Sequence, residues 1–387
     1  MVQFIFSTLS LILHFHPRSI SLNGMNRNIT FMGLIFPKLH VRMPMSRYFL
    51  LFIISNIFSC FLSSSYSQET QQIAQTQMVF LGIPVGGRYT GMGSAAVGIS
   101  EGTEAVFFNP AGLAFASNDW EIFVSETNYI ADIKQTAVAV AKGINTIGTF
   151  AATAVFMDYG EFVRTVRTDN PNQPYLNLGN FSPFSLAIGL AYARRHTDRF
   201  YFGGHVKVVH ENLGISRLGL DEEGTDISLG YRDVQNKLTV IAFDFGTRYY
   251  PGLGDLNISA SWQNFSGEKS YAQQSFSLPL FINLGLSMNV LSLLNDQAVI
   301  PHRLSFAFDF VSTKDFGNKY HSGVEYCFKN MFSLRCGYKF GYSEESFTAG
   351  FGFRLMKKAD YAIGMDYSFS EYGIFNDVHR ISLLIHK

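Results

Sequence analysis

The chain has 387 residues, 30 Lys and Arg against 30 Asp and Glu, and only 16% charged residues. A net charge of +0 leaves no electrostatic footprint for nucleic acid, and three cysteines are too few for a disulfide framework or a zinc cluster. With 38 Phe, 19 Tyr and 34 Gly the composition is neither disordered nor coiled-coil, and it favours one large β architecture over several ordinary domains.

From the N-terminus, residues 1–42 show no structural pattern and are expected to be an upstream extension from a start codon placed too early. Residues 43–67 read as a secretory signal peptide: Arg47 opens an apolar run from Tyr48 to Leu62, and Ser65 and Ser67 precede a cleavage point at Gln68. A lipoprotein signal ending at Cys60 fits less well, because bulky Phe58 sits two positions before it. An uncleaved anchor is disfavoured too, since the run is about 15 residues where a span takes about 20.

Residues 68–118 form the next unit, expected to be a plug. Gly91-Met92-Gly93-Ser94-Ala95-Ala96 spells the G-x-G-x-x-A loop of a dinucleotide fold, and Gly98-Ile99-Ser100-Glu101-Gly102 spells the G-x-S-x-G elbow of a serine hydrolase. The first spelling requires a buried strand before it and a parallel sheet around it, but a polar Gln-rich stretch precedes and alternating strands follow. The second requires a strand-to-helix turn with a downstream Asp and His in an α/β sheet, which the pattern does not provide. The glycines instead mark a compact, tightly turning segment. Asn109-Pro110-Ala111-Gly112 is the third motif. Pro110 fixes φ and disfavours the helical region for Asn109, which is expected to take an extended or turn conformation with its side-chain amide free to bond neighbouring backbone.

From residue 119 to 387 the dominant period is two. Leu304, Phe306, Phe308 and Phe310 alternate with Arg303, Ser305, Ala307 and Asp309, giving an extended strand one apolar and one polar face. Strands are predicted at 120–131, 133–142, 146–158, 185–195, 199–211, 237–249, 255–264, 278–289, 302–312, 320–328, 332–340, 346–355, 360–369 and 377–386. Their length, aromatic apolar faces and small polar opposite faces suit lipid contact outside and a lumen inside better than a soluble sandwich. The fold class is therefore all-β: a transmembrane antiparallel barrel of about 14 strands, an even number as bacterial barrels have. An Arg at outward Phe308 should therefore cost about 2–4 kcal/mol in the bilayer, and one at inward Ala307 far less.

Short links at 196–198, 250–254, 329–331 and 356–359 fall on one end, and longer links at 168–184, 213–236 and 265–277 on the other. This asymmetry suits short periplasmic turns and long external loops in an outer membrane, with both termini periplasmic. The link 290–301 is long for such a turn and is expected to hold a short helix. If Phe328 and Phe332 face each other, Cys327 points to the lumen and Cys336 to lipid, and the two are not bonded.

The remaining polar residues take structural readings. His205 and Lys207 are lumen-facing. His302, His321 and His379 lie on different strands without metal-like spacing. Asp309 and Glu325 are expected to pair with Arg303 or Arg335. No catalytic, cofactor-binding or metal-ligating set emerges, and the chain is read as a non-enzyme.

The stretches "FLGIPVGGRYTGMGSAAVG" (80–98) and "EAVFFNPAGLA" (104–114) resemble the N-terminal signature of the PorV/PorQ family, itself similar to FadL-like channels, and the resemblance continues through "LAIGLAYARR", "GGHVKVVHENL" and "IAFDFGTRYY". It implies a fourteen-stranded barrel whose hatch contains Asn109, Pro110, Ala111 and Gly112. It also implies a role in type IX secretion, with secretion-system proteins and cargo C-terminal domains as partners beside outer-membrane lipid. The alternative it carries is a FadL-like channel for a hydrophobic small molecule such as a fatty acid, against which the Gly, Ser and Asp of the inner faces argue modestly. The ending "RISLLIHK" departs from barrel assembly signals in lacking a terminal aromatic.

Overall fold

A computed structural model describes residues 76–144, 147–167, 171–219, 230–267, 269–271, 274–293, 302–313, 317–356 and 361–387. The expected extension, the signal segment and the first residues of the expected plug lie outside these.

The strands are β1 (Trp120–Asn128), β2 (Lys134–Ile144), β3 (Gly148–Asp158), β4 (Phe162–Arg167), β5 (Tyr175–Phe181), β6 (Phe184–Arg195), β7 (Phe200–Gly219), β8 (Tyr231–Tyr249), β9 (Asn257–Phe265), β10 (Lys269–Tyr271), β11 (Gln274–Phe276), β12 (Phe281–Asn289), β13 (His302–Thr313), β14 (Gly317–Phe328), β15 (Phe332–Phe340), β16 (Phe347–Met356), β17 (Ala362–Ser370) and β18 (Val378–His386). Fourteen of them close an antiparallel barrel in the order β1-β18-β17-β16-β15-β14-β13-β12-β9-β8-β7-β6-β3-β2. Closure is made at β1, where Val124 faces Val138 of β2 on one side and Leu383 of β18 on the other. Every predicted strand has its counterpart in this wall.

The two faces have opposite chemistry. Leu190 (66% exposed), Ile241 (54%) and Leu284 (52%) point outward, while Asp309, Ser261 and Ser368 are fully buried inside. Such exposure of aliphatic side chains over a closed cylinder is stable only against lipid. In β13, Ala307 and Asp309 face inward as predicted, and outward Phe308 is largely covered, stacking on Tyr320 at 6.2 Å.

Residues 76–118 fill the lumen, so inward positions such as Ala307 meet the plug and not open space. This plug winds through four short 3-10 turns, Val79–Gly82, Thr90–Met92, Thr103–Phe107 and Pro110–Phe115. Val106 and Leu113 pack on a floor of wall alanines (Ala141, Ala151, Ala191, Ala193), and Met92 and Ala95 pack on Ala307. The small residues of the inner face are contact sites for the plug.

Short turns occupy one mouth. Between β14 and β15, Lys329 and Asn330 both take left-handed φ (50° and 55°) and the Met331 amide returns to the Phe328 carbonyl at 3.0 Å, a tight reversal that matches strand twist. Phe328 faces Phe332, Cys327 is buried, Cys336 is exposed, and both thiols are free, as expected. The predicted short helix of the 290–301 link is a 3-10 turn, Val290–Leu293, and the rest of that link lies outside the described residues.

At the other mouth the long links contain more structure than their sequence announced. β4 pairs with β5 and β10 with β11 as separate hairpins, and β7 and β8 run 20 and 19 residues, well past the wall. At about 3.3 Å per residue, β7 is roughly twice as long as a wall strand of nine to twelve residues. The plug begins at this mouth, where Thr76 bridges Ser277, and ends at the short-turn mouth, where Ser117 Oγ donates to the Lys387 carbonyl at 3.0 Å. The expected mature N-terminus at Gln68 lies outside the described residues.

Candidate functional site

The distinctive feature of the barrel is how the wall holds the plug. Contacts begin with the backbone of the plug, because a glycine-rich segment offers more amides and carbonyls than side chains. Ala96 N and Val97 N donate to Asp309 Oδ2 at 2.7 and 2.8 Å, and Gly93 N donates to Thr348 Oγ1 at 2.7 Å. Gly86 N and Gly87 N donate to Ser125 and Ser382, and Thr103 N donates to Glu121 Oε1 at 2.6 Å. In the other sense, wall donors reach plug carbonyls: Arg248 Nη2 to Ser100 at 2.6 Å, Asn257 Nδ2 to Gly98 at 2.6 Å, and Gln263 Nε2 to Phe107 and Phe108 at 2.9 and 3.0 Å.

Two wall glycines show how close the approach is. A Cβ at Gly246 would overlap Asn109 Oδ1, and one at Gly337 would overlap the Gly93 amide. Only a residue without a side chain fits there.

These contacts decide among the three N-terminal motifs. The amides that a phosphate would need in the Gly91–Ala96 loop are met by the Asp309 carboxylate and Thr348, and the surrounding sheet is antiparallel. Ser100 is fully buried between plug and wall, with no strand-to-helix turn beneath it. Asn109 behaves as its sequence suggests. It is extended (φ −147°, ψ 106°), its Oδ1 accepts from Ala111 N at 3.1 Å, and its Nδ2 donates to Val97 O at 2.9 Å and to Thr247 O of β8 at 3.2 Å. Pro110 opens the last 3-10 turn, Ala111 is fully buried, and Gly112 lies too close to the Ser100 carbonyl for a side chain. The four residues thus join two parts of the plug to one wall strand.

A buried ionic lattice fixes a second point. Glu325 takes a bidentate pair from Arg88 (Nε and Nη2, 3.1 Å each), Arg335 Nε at 2.7 Å and Arg303 Nη2 at 3.1 Å, while Arg335 also meets Asp366 at 2.7 Å. The expected pairing of Glu325 with Arg303 and Arg335 is present. Arg88 of the plug is the addition, and Asp309 departs from expectation by binding plug amides in place of an arginine. Glu104 lies in the same region, buried, with Oε1 lacking a hydrogen-bond partner. Burial, reinforced by Asp366, raises its carboxyl to about 8 against the pull of Arg88, Arg335 and Arg354.

His205 and Lys207 face inward as predicted and converge on one carboxylate. His205 Nδ1 lies 2.9 Å from Asp244 Oδ2 and its Nε2 lies 2.9 Å from Thr153 Oγ1, while Lys207 Nζ donates to Asp244 at 2.8 Å and to Asn264 at 2.6 Å. This cluster borders a cavity of about 50 Å³ that Phe80, Val106 and Phe107 of the plug cover. His321 reaches Tyr342 at 2.8 Å, His302 reaches Tyr326 at 2.6 Å and His379 reaches Tyr367 at 2.8 Å, each on its own part of the barrel. Among the described residues no group of three or more His, Cys, Asp or Glu is placed to hold a metal ion.

Comparison with known proteins places this architecture. The monoaromatic hydrocarbon channel CymD is 13% identical, with a TM-score of 0.51 over 81% of this chain and 99% of that one, a likeness of fold alone. The toluene transporters TodX of Pseudomonas putida (12% identical, TM-score 0.49, covering 82% and 98%) and TbuX of Ralstonia pickettii (14%, 0.47, covering 78% and 96%) are also similar. A search of curated proteins found no match. The family model that matches, over residues 175–384, is PorP/SprF, the type IX secretion system membrane protein. With more than half its length matched, and a closed fourteen-stranded wall around it, this outer-membrane β-barrel belongs to the PorP/SprF family of type IX secretion system membrane proteins.

Proposed function

We propose that the chain is a plugged scaffold of type IX secretion, which holds secreted proteins, through their C-terminal domains, at the long-loop mouth of the barrel. The observation that carries this reading is the filled lumen. The cavity beside His205 measures about 50 Å³, whereas an engineered dry cavity that takes benzene measures about 150 Å³. Beside His205 the plug leaves little room for a hydrocarbon; a larger recess of about 430 Å³, bordered by Lys339, Tyr342 and Glu345, opens away from the plug at the long-loop mouth, and the hairpins beyond the wall supply the surface that a protein partner would grip. The PorV/PorQ-like signature at 80–114 precedes the matched residues and is read here as the signature of a wall-bound plug. Export through the 43–67 leader, with the short-turn mouth toward the periplasm, completes the reading; terminal sequencing of envelope-purified protein should begin near Gln68.

The test uses cells that secrete through this system. Deleting the tip of the 213–236 hairpin should abolish capture of secreted proteins, and Asn109→Ala should leave uptake of a labelled fatty acid unchanged. Saturable fatty-acid binding by the purified barrel, lost on Asn109→Ala, would overturn the reading in favour of a channel.

A further inference from the structure

The β4–β5 sheet stands on the long-loop side, and among the described residues it pairs with no other strand. It leans on the part of the β7–β8 hairpin that outruns the wall. β6 begins at Phe184 opposite Asn212 of β7, yet Arg164 of β4 reaches Asp233 at 3.4 Å, and Asp233 is held at 2.9 Å by Arg217, five residues beyond Asn212. Asp233 is 43% exposed. A half-open charge network at this height places the hairpin above the apolar band.

In such a place the apolar surface of β5 is anomalous. Tyr175 is 62% exposed, Leu176 43% and Leu178 38%, joined by Phe162 and Val163 of β4 at 48% and 56%. β5 contains no charged residue and no proline, two of the devices by which natural edge strands discourage pairing; its one such device is a bulge opposite Val163–Thr165, where Gly179 N donates to Asn177 Oδ1 at 2.8 Å. A two-stranded hairpin is also marginal alone, and a third strand would stabilise it. Lipid cannot supply the donors and acceptors that an open strand edge needs. A peptide strand can, and the alternation of Tyr175 and Asn177 with Leu176 and Leu178 gives it an apolar side to cover.

We propose that β5 is a docking edge for an extended, uncharged strand of a secreted protein, which adds to the β4–β5 sheet and covers Leu176 and Leu178. The inference rests on the secretion reading above and names the structural mode of that capture.

The test compares surface retention of secreted proteins in cells lacking the chain, cells with wild type, and cells with Leu176→Lys/Leu178→Lys or Leu176→Val/Leu178→Val. Folded barrel is verified by its heat-modifiable mobility on gels. The lysine pair should lower retention on the order of tenfold, an effect of about 1.4 kcal/mol, and the valine pair should hold it. If loss of the chain reduces retention but the lysine pair does not, the docking edge is refuted and the secretion reading stands. If loss of the chain changes nothing, the secretion reading fails first. Hydrogen exchange at 175–178 separates the occupants: protection is expected in outer membranes of secreting cells. Equal protection of the purified chain, either in vesicles of outer-membrane lipid or on raising its concentration in detergent, would assign the edge to lipid or to a second copy and overturn the proposal.

Discussion

Glu104→Gln is a sensitive perturbation of the plug, because it changes one proton and little volume. The Glu104 carboxyl is buried beside Gly86, its Oε1 has no hydrogen-bond partner, and burial raises it from 4.5 to about 8. The displacement corresponds to on the order of 5 kcal/mol between docked and released plug. Below about pH 4.5 both states hold the proton and docking is at its firmest. As pH rises toward 8 the released plug gives up the proton while the docked plug keeps it, so docking weakens; above 8 both are ionised and the loss is complete. Glu104→Gln should therefore leave docking nearly unchanged at pH 5 and strengthen it at pH 8, flattening the pH dependence. Hydrogen exchange of the Ala105 and Phe108 amides, corrected for intrinsic rates, reads the opening free energy directly. Wild-type protection that is flat between pH 5 and 8, or a Gln variant that loosens the plug at pH 8, would refute the reasoning.

Leu190→Arg, on the outward face near the middle of β6, should destabilise the barrel by about 2–4 kcal/mol in refolding titrations into vesicles. Ala307→Arg, on the inward face against Met92 and Ala95, should also be harmful, through release of the plug, and a new protease cut within 90–112 should report it. Asp309→Ala leaves the Ala96 and Val97 amides without their acceptor, at about 1–3 kcal/mol for each unsatisfied group, and should raise exchange of those two amides before the wall is affected.

The wall was legible in the sequence because lipid and lumen impose opposite chemistry on alternate residues, and Leu304 to Phe310 show that contrast without any partner in view. β4 and β5 were not legible for the same reason: Tyr175–Asn180 are exposed on both faces, so no alternating burial marks them as a strand. The plug was legible where its contacts are local. Asn109 bonds Ala111 two residues away, as Pro110 suggests, but its bond to Thr247 spans 138 residues. Asp309 lies 213 residues from Ala96, and no spacing rule links a wall carboxylate to glycine-rich amides at that range. The small inner-face residues were the available signal; they read as a lumen lining because nothing in one strand says that another segment will lie on it.

A plugged scaffold works with its plug shut. Thr90 Oγ1 of the plug lies 2.7 Å from Ser368 Oγ of β17, so Thr90→Cys/Ser368→Cys, in a background with Cys327 and Cys336 replaced, exchanges a hydroxyl pair for a disulfide between plug and wall. Surface retention of secreted proteins by cells carrying this variant, measured oxidised and reduced, is the most direct measurement. Equal retention in both states is predicted; retention lost on oxidation and recovered on reduction would show that the plug must move, and would contradict the account.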